Sequence, residues 1–181
     1  MRIFDLLTRE AQGKRLEFLV IGGHAIIAYG ISRNTLDLDL LISRKDRTAW
    51  KELFEKLEYS IFHEHENFLQ FSPHKTQYWP IDLMLVDEAS FRAMLNEAKT
   101  VHLDGSTFQI PKIEHVIALK LHSYKSGPSS RDAKDLLDIL ELARVAAIDM
   151  SAESFKKFCL QYVSLSQYEA ICKADRRHRK S

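Results

Sequence analysis

Apolar positions along the chain change their period several times, and each change marks an element. Ile3, Leu6, Leu7 and Ala11 fall three and four apart, the spacing of one helical face, and Gly13 closes that helix. EFLVI, residues 17–21, is a continuous apolar run of strand length, stopped by Gly22-Gly23. HAIIAYG predicts a short helix ending at Gly30. LDLDLLI, residues 36–42, alternates at period two and predicts a strand. Its Leu36, Leu38, Leu40 and Ile42 then face the core, and Asp37, Asp39 and Leu41 face the other way. Helical spacing returns in DRTAWKELFEKLEY through Trp50, Leu53, Phe54 and Leu57. SIFHEHE, NFLQFS and PIDLMLV read as three further strands, after which Asp87 caps the helix EASFRAMLNEA. TVHLDGSTFQIP predicts a hairpin turning at Asp104-Gly105. From Lys112 onward the pattern is almost entirely helical: KIEHVIALKLHSYKS, a break at GPSS, RDAKDLLDILELARV, and one or two more helices from Ser151. The expected fold class is α/β (α+β): a mixed sheet flanked by helices in residues 1–110, with a helical part, 111–181, packed on the same core.

Two aspartates inside an apolar strand need a reason. Burying one carboxylate is costly, and a second beside it adds like-charge repulsion. Alternation puts Asp37 and Asp39 on one face, about 7 Å apart at their Cα atoms by strand rise. At that spacing they can converge on a divalent cation, which removes the repulsion. PIDLMLV repeats the anomaly, placing Asp82 between Ile81 and Leu83. If its strand neighbours residues 36–42, three carboxylates meet, and three carboxylates with paired metals and phosphates make a phosphoryl-transfer site. A strand, two glycines and a helix start add a turn whose backbone can approach a phosphate.

Composition narrows the picture. The 181 residues are 45% hydrophobic, enough for a core and against disorder. The net charge of +1 is uneven: Lys173, Arg176, Arg177, Arg179 and Lys180 against Asp175 give the last nine residues +4, and the rest sums to about −3. That tail is either a solvated terminus or a contact for RNA or DNA phosphates. Cys159 and Cys172 lack metal-ligand spacing and read as free thiols of a reducing compartment. The charged N-terminal segment resembles neither a signal peptide nor a membrane span, so the expected location is cytoplasmic. His63 and His65 share a strand face without a third ligand nearby, so HEHE reads as a polar face rather than a zinc site. Phe68, Tyr78 and Trp79 can stack a base or pack in the core or its rim.

Gly22-Gly23, thirteen intervening residues, Asp37-Leu38-Asp39 and the later Asp82 together resemble the signature of the nucleotidyltransferase superfamily of the DNA polymerase β type. Arg33-Asn34-Thr35-Leu36-Asp37-Leu38-Asp39, with Lys120-Leu121, Arg131-Asp132 and Asp135-Leu136 downstream, is similar to the minimal bacterial branch of AbiEii-type nucleotidyltransferase toxins. The resemblance spans roughly residues 17–142. It implies the nucleotidyltransferase fold and transfer of a nucleoside monophosphate from an NTP to an acceptor hydroxyl. In that reading Asp37 and Asp39 bind Mg²⁺ (or Mn²⁺). Asp82 completes the metal site and helps deprotonate the acceptor. Gly22 and Gly23 hold the triphosphate, with Arg33 and Thr35 beside them. Lys120 neutralises phosphate charge and joins the catalytic set. Asp135 orients Lys120 or the base; the plainer reading pairs Asp135 and Asp138 with Lys134 or Arg131 along the helix. The acceptor is RNA such as tRNA, a protein side chain or a small molecule such as an aminoglycoside, and the branch implies a toxin with an antitoxin partner. The rival is a non-catalytic nucleotide- or RNA-binding protein that keeps the fold, favoured if the three acids fail to converge.

Overall fold

The computed structural model describes residues 3–103, 105–126 and 129–178. Asp104 of the hairpin turn, the side chains of Arg131 and Asp132, and Arg179 and Lys180 of the basic tail lie outside the described residues. The chain divides into two compact units, Met1–Lys112 and Ile113–Ser181.

The first unit is built on a five-stranded mixed sheet. Its elements are α1 (Ile3–Gly13), β1 (Leu19–Val20), α2 (Gly22–Ala28), β2 (Leu38–Ser43), α3 (Arg47–Lys56), β3 (Tyr59–His65), β4 (Phe68–Pro73), β5 (Ile81–Val86), α4 (Glu88–Asn96), β6 (Lys99–Leu103) and β7 (Ser106–Ile110). The strand order is β1-β2-β5-β4-β3, and β6-β7 form a separate hairpin. β2 and β5 run parallel, and the other neighbours in the sheet run antiparallel.

Alternation decides what each face does. In β5, Ile81, Leu83 and Leu85 are buried, whereas Asp82, Met84 and Val86 are half-buried. β4 repeats this, with Leu69 and Phe71 buried and Gln70 on the other face. The register Leu38–Ile81–Phe71 continues the buried row across three strands. α3 covers this row: Phe54 lies 4.8 Å from Phe71 between ring centroids and 5.6 Å from both Trp50 and Tyr59. Each such fully buried large side chain contributes about 1.5–3 kcal/mol by removal from water. The sheet's opposite face is the one on which polar side chains gather.

Two expectations need correcting. The strand expected over residues 36–42 begins at Leu38, and Leu36 is 80% exposed rather than in the core. The Thr35 hydroxyl donates within reach of both the Asp37 carbonyl oxygen (3.3 Å) and its carboxylate (2.8 Å), a side-chain turn that keeps the backbone out of the ladder until Leu38. The strand expected over 17–21 is reduced to Leu19–Val20, and the helix after it starts on Gly22 itself. The Asp87 cap is present, its carboxylate accepting from Ser90 N at 2.9 Å.

The second unit contains α5 (Ile113–Ser126), α6 (Ser129–Val145), α7 (Glu153–Cys159) and α8 (Leu165–His178). α6 packs against both α5 and α8. Ile117, Leu121, Ile139, Leu142 and Ile171 form the centre of its core. Both cysteines are free thiols, and burial pushes the Cys159 thiol up to about 12.

Candidate active site

A row of backbone partners across the first unit's sheet builds the site. Ile21 N donates to Asp39 O at 2.9 Å, Asp39 stands opposite Asp82, and Asp82 stands opposite Gln70. Neighbouring strands lie only about 4.8 Å apart, so the register brings Asp39 and Asp82 side by side on the half-open face. Asp37, in the turn just before β2, completes the group. One ligand atom from each of Asp37, Asp39 and Asp82 lies within 4.8 Å of the others, and all three residues are half-buried. Among the described residues this is the one cluster of three or more Asp, Glu, His or Cys close enough to share a metal ion. Like charges directly opposite one another destabilise a sheet. The arrangement therefore carries a cost that a divalent cation reverses, and an all-carboxylate oxygen set suits Mg²⁺ or Mn²⁺. The condition that would have favoured a non-catalytic protein, acids that fail to converge, is not met.

The glycine pair is locked into the same site. Gly22 has φ +61°, a left-handed conformation, and a Cβ there would overlap the Asp39 carboxylate. A Cβ on Gly23 would sit 2.5 Å from Thr35 Oγ1, too close for the hydroxyl to stay where it is. Thr35 in turn holds Asp37 at 2.8 Å. The two glycines thus let the backbone lie directly against Asp39 of the acid cluster and against Thr35, which holds Asp37. Gly22→Ala is expected to cost on the order of 1–3 kcal/mol through backbone strain and to push Asp39 aside. Thermal denaturation together with Mn²⁺ titration checks this; an unchanged melting point and unchanged metal affinity would contradict the interlock. Arg33 is half-buried in the loop between α2 and β2.

Gln70 is a member of the site that the sequence reading missed. Its Nε2 donates to both oxygens of Asp82, at 3.1 and 3.2 Å. A polar residue at the alternate position of NFLQFS was a visible signal, but its partner depends on the β4–β5 register. The first three residues of HEHE lie on β3 at the sheet's edge, where Glu64 pairs with Arg47 at 2.7 Å and Lys51 at 3.2 Å.

Trp79 directly precedes Pro80, whose carbonyl accepts from Leu38 N at 2.9 Å. Its ring stacks on His24, with centroids 4.8 Å apart, in the first turn after the glycine pair. Phe4 packs edge-on against His24 at 5.1 Å.

Lys120 and Asp135 belong to the second unit. Lys120 Nζ donates to Asp135 Oδ1 at 2.9 Å and lies 2.8 Å from Asp138 Oδ2, while Ser123 Oγ donates to Asp135 Oδ2 at 2.7 Å. Lys120 and Ser123 lie on α5, Asp135 and Asp138 on α6, each pair three residues apart and so on one helix face. Both aspartates thus reach across from α6 to Lys120. Among the described residues no helix is long and apolar enough to cross a membrane.

Comparison with known proteins adds a family to this geometry. A family model described as "Nucleotidyl transferase of unknown function (DUF2204)" matches residues 2–167. Among solved structures, the antibiotic-resistance factor ANT(2'')-Ia is similar at 15% identity and TM-score 0.66, over 97% of this chain and 94% of that one. The lincosamide antibiotic adenylyltransferase LnuA, with lincomycin bound, is similar at 12% identity and TM-score 0.55, over 78% of this chain and 94% of that one. The Megavirus polyadenylate synthase is similar at 14% identity and TM-score 0.52, over 81% of this chain but 31% of that one. At these identities the likeness establishes the fold. No curated protein matches the chain in sequence.

Proposed function

Since the chain belongs to the nucleotidyl transferases of the DUF2204 family, we propose that it moves a nucleoside monophosphate from a metal-bound NTP to an acceptor hydroxyl at Asp37, Asp39 and Asp82. The observation that carries this reading is the convergence of three strand- and turn-borne carboxylates within 4.8 Å. A divalent cation bound there neutralises charge on the phosphates and on the departing pyrophosphate. The protein's own work is positioning. Asp37 and Asp39 would hold the metal, Asp37 held by the Thr35 hydroxyl and Asp39 packed against the backbone at Gly22. Asp82, on the neighbouring strand, would complete the set and take the acceptor's proton. The acceptor oxygen bonds to the α-phosphorus, the bond from that phosphorus to the bridging oxygen breaks, and pyrophosphate leaves with the electron pair.

Lys120 remains the proposed cation for the phosphates. Two of its three N–H donors face Asp135 and Asp138, which fixes the ammonium's position. The finer reading follows the AbiEii-type resemblance: tRNA as acceptor, in a toxin held by an antitoxin. Arg176 and Arg177 on α8 supply cationic side chains for such an acceptor. The experiment is to incubate the protein and Mg²⁺ with each α-labelled NTP and, separately, total RNA, a protein lysate and hydroxylated small molecules including an aminoglycoside. Label in RNA at salt-sensitive yield supports the finer reading, and label in a small molecule replaces it.

Trp79 provides a reporter of nucleotide binding. Trp50 is fully buried behind the sheet, whereas Trp79 is 37% exposed and rests on His24 beside the glycine turn. Mg-NTP is expected to change the protein's tryptophan fluorescence, and Trp79→Phe to abolish that change. A response that persists in Trp79→Phe would place the nucleotide elsewhere.

A further inference from the structure

We infer that Gln70 is a positioning residue for the metal site: its amide fixes the orientation of the Asp82 carboxylate beside Asp39 while leaving the site's negative charge intact. The inference rests on the assignment of Asp37, Asp39 and Asp82 as metal ligands.

The geometry is specific. Gln70 and Asp82 are direct partners in the antiparallel β4–β5 ladder, and both are half-buried on the acid-bearing face. Side chains at such positions start about 5 Å apart at Cβ, within the span of a glutamine. The amide nitrogen lies 3.1 and 3.2 Å from the two Asp82 oxygens, so one donor group bridges the whole carboxylate. This assigns the amide's orientation as well, because its carbonyl oxygen turned inward would meet only acceptors.

Asp82 needs such a partner. Directly beside it on β2 is Asp39, and repulsion between the two favours rotamers that turn Asp82 away. A hydrogen bond from β4, on the side of Asp82 away from Asp39, locks the carboxylate in one orientation, with an oxygen still within 4.8 Å of ligand atoms of Asp37 and Asp39. The chemical type matters as much as the reach. Lysine or arginine at position 70 would also hold Asp82, but would cancel part of the charge that attracts the cation. A carboxylate there would add a fourth acid and no donor. Glutamine donates strongly and carries no charge. Outer partners of this kind typically account for 10–100-fold in metal affinity.

The test is Mn²⁺ binding to the full chain, read from the electron paramagnetic resonance signal of free Mn²⁺, beside the metal-free melting temperature. Gln70→Met removes the donor at similar length and is expected to weaken Mn²⁺ binding roughly tenfold or more, with the metal-free melting temperature little changed. Gln70→Asn keeps an amide one methylene short of Asp82. It is expected to show the same loss, and it decides the matter if the Met variant does not fold. Gln70→Lys is expected to abolish binding. Wild-type affinity in the Met and Asn variants would overturn the inference. Failure of the wild-type protein to bind Mn²⁺ would instead overturn the assignment of the three acids.

Discussion

Asp39→Asn is expected to abolish nucleotidyl transfer while leaving the fold at least as stable as before. Asp39 stands between the Gly22 backbone and Asp82, at the centre of the row that builds the site. Metal electrostatics supply several kcal/mol to such a transfer, so loss of a ligand lowers turnover by about a thousandfold or more. The same substitution removes the repulsion between adjacent carboxylates, so the metal-free melting temperature is expected to stay level or rise. Stabilisation of the wild type by millimolar Mg-NTP, which follows from binding to the folded state alone, is expected to vanish in the variant. Turnover assays and melting curves with and without Mg-NTP check both halves. Activity within tenfold of wild type would remove Asp39 from the metal site. A marked loss of metal-free stability would show that the carboxylate serves the fold.

Lys120→Met is expected to act mainly on stability. Lys120 faces two aspartates that are 4% and 6% exposed, and Asp135 also accepts from Ser123. Removing the cation takes away the charge that Lys120 sets against two buried carboxylates. Breaking a buried ion pair from one side typically costs about 3–5 kcal/mol. For a chain of this length each kcal/mol lowers the melting temperature by about 2–4 °C, so a fall on the order of 10 °C is expected. Combining Lys120→Met with Asp135→Asn and Asp138→Asn is expected to recover much of the loss, since the buried negative charges go too. Thermal denaturation of the single and triple variants reads this directly. A single variant that melts with the wild type would mean that water already solvates the pair. Lys120→Arg keeps the charge, so it is the variant whose kinetics report on phosphate contact.

Much of the site was legible because its signals are local. Asp37-Leu38-Asp39 stands out as acids in an apolar run, Asp82 repeats the anomaly, and Gly22-Gly23 marks a turn after a strand. The structure joins them through the parallel β2–β5 pair, with Asp39 opposite Asp82. What stayed hidden depends on register or on helix rotation. Gln70 becomes informative only once β4 is set against β5, because a one-residue slip would turn its side chain to the other face. The need for glycine at position 22 comes from the Asp39 side chain, which the β1–β2 register brings close. Leu36 was assigned to the core by alternation, but the Thr35–Asp37 turn delays the strand, and alternation has no meaning before Leu38. Asp135 and Asp138 had an obvious neighbour in Lys134. Their partner across the helix pair, Lys120, lies fifteen and eighteen residues away and depends on how α5 and α6 pack, which no local pattern records.

The most direct test follows the two ends of the triphosphate. The protein, Mg²⁺ and the acceptor fraction identified by the label screen are incubated with NTP carrying label on the α-phosphate or on the γ-phosphate. Nucleotidyl transfer at Asp37, Asp39 and Asp82 predicts α-label in the acceptor and γ-label in released pyrophosphate, both lost in Asp39→Asn. γ-Label in the acceptor, or α-label transfer that survives in Asp39→Asn, would contradict it.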